Sequence, residues 1–579
     1  MKTLPALLAA TLLALTAFSQ APKIVWGNEF KMSKGSTDLQ VVLSDNSGVY
    51  LQESHAVLTS YFVIGATTRQ SATLVKLDKN LAEQYRNDFN KELRGKEFDR
   101  FFAVQDKLYI LATDYSRREK TLTLFAARVD KGTGDLAGDW AQLASWQKEE
   151  KSDAIHYKVS TNADSTNLIL VSSVQGTGRN SYQVQLFDIN LKALGGTVNV
   201  SNEFDPKTFQ LEDVLYTSNK KIVLVGRRYE YQEGKRKKDK FLDFVNYNIR
   251  IYDSKGKQQN EVNTEINGKW LVSTKVLQEP DKDLVIAAFY SNEKKGKNID
   301  GLLVQRIDPN TGSVVTTSQK EINTSLITAA EDENAATTDD EKDEESRKER
   351  KEREKFDKIK DEGEGFSRYM RFKNIFYTPD QGLVILAEKY YQYTYTTTQY
   401  NNGFNGMPGS WTYSTYTVYE TGDLMMCKID AGGNIGWLNV LPKEQREVIG
   451  GSTTSYGGFS VGSYYFFTYD RPFYSGFGAL QNGNNIHIVF NDHAANAGVL
   501  QLGQRIKKET YFRHSDCFNL TLDATTGKYT RKVFFSNKDV PTAMPRMGAI
   551  VGNSLYIVGR DDRIFGRTKV AVAKITADN

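Results

Sequence analysis

Few residues in this sequence have the types and spacing that catalysis requires. The chain holds five histidines, which are His55, His156, His487, His493 and His514. None belongs to an HExxH pair or to a Cys–His spacing of the zinc-binding kind. His493 and His514 flank one predicted loop and could together bind a metal ion, whereas His487 lies in an apolar strand and is interpreted as structural. Paired carboxylates for glycoside chemistry come from distant segments and leave no local motif, so the sequence leaves that reaction open.

The only thiols are Cys427 and Cys517. Two cysteines cannot build a disulfide framework in a chain of 579 residues. Cys427 precedes Asp430 by three residues and Cys517 precedes Asp523 by six, which in two strands of equal register is a stagger of about 10 Å. That separation is too long for a disulfide. We therefore expect two free, buried thiols.

A tyrosine-rich insertion at 390–419 is the first candidate binding surface. Its two arms alternate Tyr and Thr and are joined by a Gly/Asn-rich turn, which predicts a long hairpin supported by cross-strand aromatic pairs. One interpretation is a flat aromatic platform for a glycan or a protein, formed by Tyr391, Tyr393, Tyr395, Trp411 and Tyr413. The other is a hairpin that packs over the neighbouring loops and binds nothing.

Basic side chains cluster in several predicted loops. The densest run comprises Lys235, Arg236, Lys237 and Lys238, and further groups lie near 117–120, 294–297 and 505–508. Gathered on one rim, these groups would attract an anionic polysaccharide or a lipid headgroup. As solvated loop residues they would have no ligand. The net charge of +4 gives the chain as a whole no strong attraction for polyanions.

The N-terminus is typical of an export signal. Lys2 precedes an apolar run at 6–18 that is too short to span a bilayer comfortably, and Ala17-Phe18-Ser19 supplies small residues before a cleavage point. We predict a signal peptide at 1–19 and an exported chain at 20–579, in the periplasm, at the cell surface or outside the cell. The alternative is a buried first helix. No transmembrane segment is predicted elsewhere, and an exported protein is not expected to meet nucleic acid.

Repeats organise the rest of the chain. Seven hairpins place an aspartate at the turn that follows a strand, and these turn aspartates are Asp78, Asp130, Asp188, Asp253, Asp308, Asp430 and Asp523. Aspartate suits this position because its carboxylate accepts hydrogen bonds from amides two or three residues further on. Most of them are separated by about 55 residues, which fits a four-stranded antiparallel propeller blade. A further copy at 569–579 raises the number of units to eight.

The predicted architecture is therefore all-β, a single β-propeller of eight four-stranded blades. An apolar strand at 23–32 has no repeat of its own, and the last unit ends after its third strand, so we predict that the N-terminal strand completes the last blade. A charged link at 328–366 predicts one inserted, exposed helix. The long insertions fall between second and third strands or between units, which places them on one face.

These repeats resemble those of kelch-type and quinoprotein-type propellers, particularly secreted bacterial propellers with a strand–Asp–turn–strand signature in each blade. The first part of the quinoprotein blade motif is matched by Asp130-Thr133-Gly134, Asp308-Thr311-Gly312 and Asp523-Thr526-Gly527. The Trp that follows in that motif is absent at the matching offset in all three. We therefore expect no quinone or other cofactor, and the resemblance implies an architecture without implying an activity.

From the sequence we favour an exported, non-enzymatic binding scaffold at the cell envelope. Its elaborated face would contact a protein or an envelope glycan. The alternative is a carbohydrate-active enzyme, a hydrolase or a lyase, with its site at the mouth of the propeller channel. Carboxylates, Tyr and His converging at that mouth would favour the enzyme, whereas a flat aromatic and basic surface would favour the scaffold.

Overall fold

The computed structural model describes most of the chain beyond its N-terminus. The described residues are 22–33, 36–61, 65–150, 153–162, 165–176, 181–205, 208–217, 219–233, 240–264, 269–277, 283–293, 298–321, 366–367, 370–401, 410–456, 459–462, 472–561 and 567–577. They form β-strands, with no α-helix among them and two 3₁₀ helices at Ala494–Asn496 and Phe512–His514. None of the helices in these ranges has the length and apolar character needed to cross a membrane.

Eight antiparallel sheets of four strands succeed one another along the chain. They are preceded by β1 (Lys23–Trp26) and β2 (Phe30–Lys31). Sheet 1 comprises β3 (Ser36–Asp45), β4 (Gly48–Tyr61), β5 (Gly65–Leu77) and β6 (Glu83–Asp88). Sheet 2 comprises β7 (Glu97–Val104), β8 (Lys107–Ser116), β9 (Thr121–Val129) and β10 (Ala141–Gln147). Sheet 3 comprises β11 (Ala154–Thr161), β12 (Asn167–Gln175), β13 (Gln183–Asp188) and β14 (Val198–Asn199). Sheet 4 comprises β15 (Phe209–Tyr216), β16 (Ile222–Glu233), β17 (Lys240–Tyr252) and β18 (Gln258–Asn263).

The second half repeats this order with two additions. Sheet 5 comprises β19 (Trp270–Leu277), β20 (Leu284–Ser291), β22 (Gly301–Ile307) and β23 (Val314–Glu321), with β21 (Asn298–Ile299) paired to β24 (Phe366–Ser367). Sheet 6 comprises β25 (Met370–Tyr377), β26 (Leu383–Asn401), β27 (Ser410–Ile429) and β28 (Ile435–Leu441), extended by β29 (Gln445–Tyr456) and β30 (Phe459–Gly462). Sheet 7 comprises β31 (Phe477–Asn482), β32 (Asn485–Asp492), β33 (Asp516–Asp523) and β34 (Tyr529–Ser536). Sheet 8 comprises β35 (Thr542–Val551), β36 (Ser554–Asp561) and β37 (Lys569–Thr576), with β1 as its fourth strand.

The predicted turn aspartates hold the turn between the third and fourth strands of sheets 1 to 7. In sheet 1, Oδ1 of Asp78 accepts hydrogen bonds from the amides of Asn80 and Ala82 at 2.8 and 2.9 Å. The six other turn aspartates likewise accept backbone N–H groups. The prediction about these turns is confirmed, and the acceptor geometry explains why an acidic side chain recurs there.

Hydrophobic side chains fill the space between successive sheets. All eight residues of β20 are buried, as expected for a strand covered on both faces. Each pair of neighbouring sheets encloses its own cluster, and a further cluster joins Leu51 and Val75 of sheet 1 to Val558 and Val572 of sheet 8. This arrangement is consistent with an eight-bladed propeller.

The fourth strand of one sheet also packs on the aspartate turn of the next. Trp437 of β28 donates from Nε1 to the carbonyl of Ala524 at 3.2 Å, and its ring lies against Gly527, which has a φ of +72°. Tyr85 of β6 occupies the same position on Gly134. The aromatic ring beside two of the three Asp-x-x-Thr-Gly turns therefore comes from the preceding sheet, which a search within each repeat could not find.

The N-terminal segment pairs with the last strand of the chain. Lys23 to Trp26 align antiparallel with Thr576 to Ala573, and β2 pairs with the start of β37. The predicted helix within 328–366 falls on residues that lie outside those described, apart from Phe366. That residue begins strand β24 (Phe366–Ser367).

Candidate functional site

A cavity of about 630 Å³ lies between sheets 3 and 4 and is called the cleft below. Its walls come from the first two strands of each sheet and from Tyr182, which precedes β13. This volume lies within the usual range for small-molecule sites, roughly 300 to 1,000 Å³. The cleft is therefore large enough for a small organic ligand.

Strand alternation decides which side chains reach the cleft. On β11, Ile155 and Tyr157 pack into the hydrophobic cluster between sheets 2 and 3. Successive side chains of a strand point to opposite faces, so His156 and Lys158 lie on the face of β11 toward sheet 4. His156 is exposed at the rim, and the register places it directly opposite the buried Ser173 of β12.

Aromatic rings form the apolar side of the cleft. Tyr182 packs edge-on against Phe204 and Phe209, at ring-centroid distances of 5.0 and 6.2 Å. Burial raises the pKa of Tyr182 to about 12, so its hydroxyl is neutral at physiological pH. Gly226 of β16 lies under Phe209: a β-carbon there would come 2.0 Å from Cζ of the ring. A glycine at this position is therefore what allows the end of the Phe209 ring to lie against the backbone of β16.

Polar side chains form the opposite side. Lys158 Nζ lies 2.5 Å from Oδ1 of Asp213 and donates to the carbonyl of Glu212 at 3.1 Å. Tyr229 donates to Gln210 at 3.2 Å, and Gln175 lines the cavity from the end of β12. The cleft thus combines an aromatic wall with amides, a hydroxyl, an imidazole and one ion pair.

A second polar pair stands behind β11, between sheets 2 and 3. The hydroxyl of Tyr157 donates to Oδ2 of Asp99 at 3.3 Å, and its ring stacks on Trp146 with centroids 5.5 Å apart. Burial raises the pKa of Asp99 and that of Tyr157. Hydrogen bonds between first strands connect this pair to the cleft, since Arg100 donates to the carbonyl of Val159 at 2.7 Å.

The five predicted platform residues do not share a face. The antiparallel register pairs Tyr391 with Glu420 and Tyr413 with Thr398, so odd positions of β26 lie on the same face as even positions of β27. Tyr391, Tyr393 and Tyr395 therefore lie on one face of the hairpin, and Trp411 and Tyr413 lie on the other. Tyr395 stacks on Tyr416 and is only 7% exposed. The prediction of a single platform is wrong, although the hairpin itself is confirmed.

The basic rim stays a prediction, because two of its four groups lie outside the described residues. These are Lys235, Arg236, Lys237 and Lys238, and the group near 294–297. Arg117 and Arg118 are exposed in the turn between β8 and β9, whereas Lys508 is paired with Glu444 at 2.9 Å.

The remaining candidate groups have structural partners. Nδ1 of His493 accepts from the amide of Ala495 at 3.1 Å, and His514 packs on Tyr511. His487 is buried, which lowers its pKa to about 4. Cys427 and Cys517 are free and buried, as predicted. Across the ranges that the structure describes, no group of three or more His, Cys, Asp and Glu side chains is placed to hold a metal ion.

One short sequence pattern has the spacing of a catalytic serine motif but not its structure. Residues 458–462 read Gly-Phe-Ser-Val-Gly, the sequence pattern of a nucleophile elbow. Phe459–Gly462, however, forms strand β30, which pairs with β29, and not a turn into a helix.

The cleft was not predicted from the sequence, because its residues come from four different strands. Polar side chains at 156 and 158, between apolar ones at 155, 157 and 159, were the available signal.

Comparisons with known proteins give only distant likenesses. Neither a family model nor a curated protein sequence matches the chain. Among solved structures, the polysaccharide lyase Uly1 is 12% identical with a TM-score of 0.34, over 95% of this chain and 100% of that one. The α-L-arabinanase of Penicillium chrysogenum is 9% identical with a TM-score of 0.28, over 52% and 98%.

A third similar structure is prolyl oligopeptidase B from Galerina marginata, at 11% identity and a TM-score of 0.27 over 65% of this chain. The present chain spans only 38% of the length of that peptidase. None of these likenesses is strong enough to indicate an activity.

Proposed function

We propose that this protein is a carbohydrate-active enzyme, a hydrolase or a lyase, whose substrate binds in the cleft. The observation that carries the proposal is the position of His156, an exposed imidazole at the rim of a 630 Å³ cavity with an aromatic wall. An imidazole both accepts and donates protons near neutral pH, which is what a general acid or base requires.

The composition of the cleft supports a sugar as the ligand. Tyr182 and Phe209 are 4% and 7% exposed and present only the edges of their rings to the cavity, as an apolar contact for a sugar, while Gln175 and Gln210 supply the amide donors and acceptors that hydroxyl groups need. Lys158 is paired with Asp213 at 2.5 Å, so a sugar carboxylate would have to displace Asp213 to contact this ammonium group.

The two reaction types would use different groups. In a lyase, His156 would take the proton from the carbon next to a sugar carboxylate, and Lys158, displaced from Asp213, would stabilise the charge that develops on that carboxylate. The glycosidic C–O bond at the following carbon would then break as the C=C double bond forms, and the departing oxygen would take the proton from His156. In a hydrolase, the candidate carboxylates are Asp213 and Glu212 of β15, but neither lines the cavity, and each is paired with a base, Lys158 or Arg227. The lyase chemistry is favoured, because the exposed imidazole of His156 lines the cleft whereas neither carboxylate does.

The wider proposal concerns the whole chain. We infer that the eight sheets close into one ring, with β1 as the last strand of the eighth blade, and that residues 1–19 direct export. The pairing of β1 with β37 and the cluster shared by sheets 8 and 1 support closure. The cleft would then open at the mouth of the central channel.

The test is an activity screen of the chain without residues 1–19 on a panel of neutral and uronate-containing oligosaccharides. New reducing ends without ultraviolet absorbance identify hydrolysis, and an unsaturated product that absorbs in the ultraviolet identifies elimination. His156→Ala is expected to lower the rate by about 100-fold or more, with His514→Ala as the matched histidine control. Full activity of His156→Ala, or equal loss in both variants, would contradict the assignment. No turnover of any sugar would contradict the proposed enzyme and favour the non-enzymatic binding scaffold.

A further inference from the structure

The tyrosine-rich hairpin carries a second surface that the cleft does not use. It consists of the side chains at alternate positions 394–400 of β26 and 411–417 of β27, and is called the threonine face below. Thr394 and Thr417 approach to 3.3 Å through their hydroxyl oxygens, and Thr396 and Thr415 approach to 3.1 Å. These pairs form a ladder of hydroxyl groups across the two strands.

Exposed rings continue this ladder toward the tip of the hairpin. Tyr400 and Trp411 are opposite each other in the register, with ring centroids 4.8 Å apart. Their exposed fractions are 50% and 48%, and that of Tyr413, two positions along β27 from Trp411, is 44%. Three large rings in contact with water on one strand face are unusual in a soluble protein, where such groups commonly mark binding sites.

No charged residue interrupts the threonine face. All eight of its positions hold Thr, Tyr or Trp, in a chain of which 25% is charged. Charged side chains do occur on the opposite face, where Glu420 lies across from Tyr391. Uncharged hydroxyls next to exposed rings suit a ligand that has many hydroxyl groups, apolar C–H faces and no net charge.

We propose that the threonine face binds a neutral polysaccharide, with sugar rings stacked on Trp411 and Tyr413 and sugar hydroxyls bonded to the threonine ladder. At the strand rise of about 3.3 Å per residue, positions 394 to 400 extend over about 20 Å, so several consecutive sugar rings fit along it. β29 pairs with β27 through this whole region and supports it from the side. A protein partner fits less well, because the centre of a protein interface is usually apolar and this centre is a row of hydroxyl groups.

The inference is independent of the proposed reaction in the cleft. A substrate-binding cleft accepts one or a few sugar units, whereas an extended strand face accepts a polymer. His156→Ala should therefore leave polymer binding by the threonine face unchanged, and substitutions on the threonine face should leave turnover of short oligosaccharides unchanged. Failure of one proposal is thereby distinguishable from failure of the other.

The test is co-sedimentation of the chain without residues 1–19 with insoluble cellulose, chitin and xylan, together with retardation in gels that contain soluble alginate as an anionic polymer. Trp411→Ala combined with Tyr413→Ala is expected to weaken binding to the neutral polymer by about tenfold or more. Gln399→Ala, an exposed residue at the same level on the other face, serves as the matched control and should bind as the wild type does. Thermal unfolding of each variant checks that the hairpin substitutions leave the fold intact.

Charge substitutions decide the class of polymer. Thr396→Glu and Thr396→Lys both place a charge in the middle of the ladder, and both are expected to weaken binding to the neutral polymer. Tighter binding of alginate by Thr396→Lys than by the wild type, with no wild-type binding to neutral polymers, would overturn the proposal in favour of an anionic ligand. Wild-type binding to none of the polymers, or unchanged binding in the Trp411 and Tyr413 double variant, would overturn it altogether.

Discussion

Arg531 and Asp492 form an ion pair that is completely buried in sheet 7. Nη2 of Arg531 lies 2.7 Å from Oδ2 of Asp492, and neither side chain has any exposed surface. The guanidinium group also lies 4.1 Å from the ring centre of Phe518 and 5.1 Å from that of Phe490. Burial raises the pKa of Asp492 and lowers that of Arg531, so each charge depends on its partner.

Removing one partner should therefore be severe. Arg531→Met is expected to lower the free energy of unfolding by about 3 to 5 kcal/mol, because it leaves a buried carboxylate without its counter-ion. Urea unfolding measures the change. The double variant Arg531→Met with Asp492→Asn removes both charges and should recover part of the loss. A double variant that is less stable than the single one would show that the charge left behind is not the cause.

A pH dependence is expected from Glu509. This side chain is 3% exposed and accepts from the amide of Tyr511 at 2.6 Å. Burial, with a smaller contribution from the charge of Asp492, raises its pKa from 4.5 to about 7, and the Tyr511 amide and Lys507 oppose the rise. Above pH 4.5 the unfolded chain loses this proton while the folded chain keeps it, so the stability that Glu509 contributes falls as the pH rises toward 7.

Glu509→Gln removes that titration and keeps the size of the side chain. The difference in unfolding free energy between the variant and the wild type should therefore grow in favour of the variant from about pH 4.5 to 7 and then stay constant. The buried His487 titrates in an overlapping range, but it is present in both proteins and cancels in the difference. A difference that does not change with pH would contradict the prediction.

The shape of the cleft should depend on Gly226. Gly226→Ala places a methyl group 2.0 Å from Cζ of Phe209, which forces the ring away from sheet 4. Overpacking of this kind lowers stability by about 1 to 3 kcal/mol. The displaced ring should also lower the affinity of the cleft for its ligand. Thermal unfolding and ligand titration measure the two effects. Gly196→Ala is the control, because a β-carbon at Gly196 meets no atom within 4 Å.

Comparing two glycines separates the stability contributed by the contact of Trp437 with the next sheet from the effect of backbone strain. Gly527 and Gly483 both have positive φ, +72° and +55°, but a β-carbon at Gly527 would lie 2.7 Å from Cδ2 of Trp437, and one at Gly483 would meet nothing within 4 Å. Gly483→Ala should lower stability by about 1 to 2 kcal/mol, from strain alone. Gly527→Ala should lower it further, because Trp437 must move. Equal losses in urea unfolding would show that the ring contact is worth little.

The repeated elements were predictable because their signals are local. An aspartate turn needs only a carboxylate and the amides that follow it, and a strand buried on both faces needs only a continuous apolar run, as in β20. The face of the tyrosine-rich hairpin on which each aromatic side chain lies was not predictable. Whether Tyr395 and Trp411 share a face depends on the register that the intervening turn sets, and a shift of one residue would reverse it.

The cleft was out of reach for a different reason. His156, Phe209 and Tyr229 come from separate strands of two sheets, and their proximity depends on how those sheets pack. The role of Gly226 could not be predicted either, because it depends on contact with the ring of Phe209, 17 positions earlier in the chain. Side chains that meet only through tertiary packing leave no spacing pattern in a single sequence.

The pairing of β1 with β37 has a consequence for folding during synthesis. As the chain is synthesised from its N-terminus, β1 emerges before any of the sheets, and the strand it pairs with is the last of those described. Its pairing with β37 therefore cannot form until the seven intervening sheets have been synthesised. Premature release of the chain before β37 is made would leave two apolar edges with no partner, a state prone to aggregation. Completion of sheet 8 by β1 therefore depends on synthesis of the chain through β37.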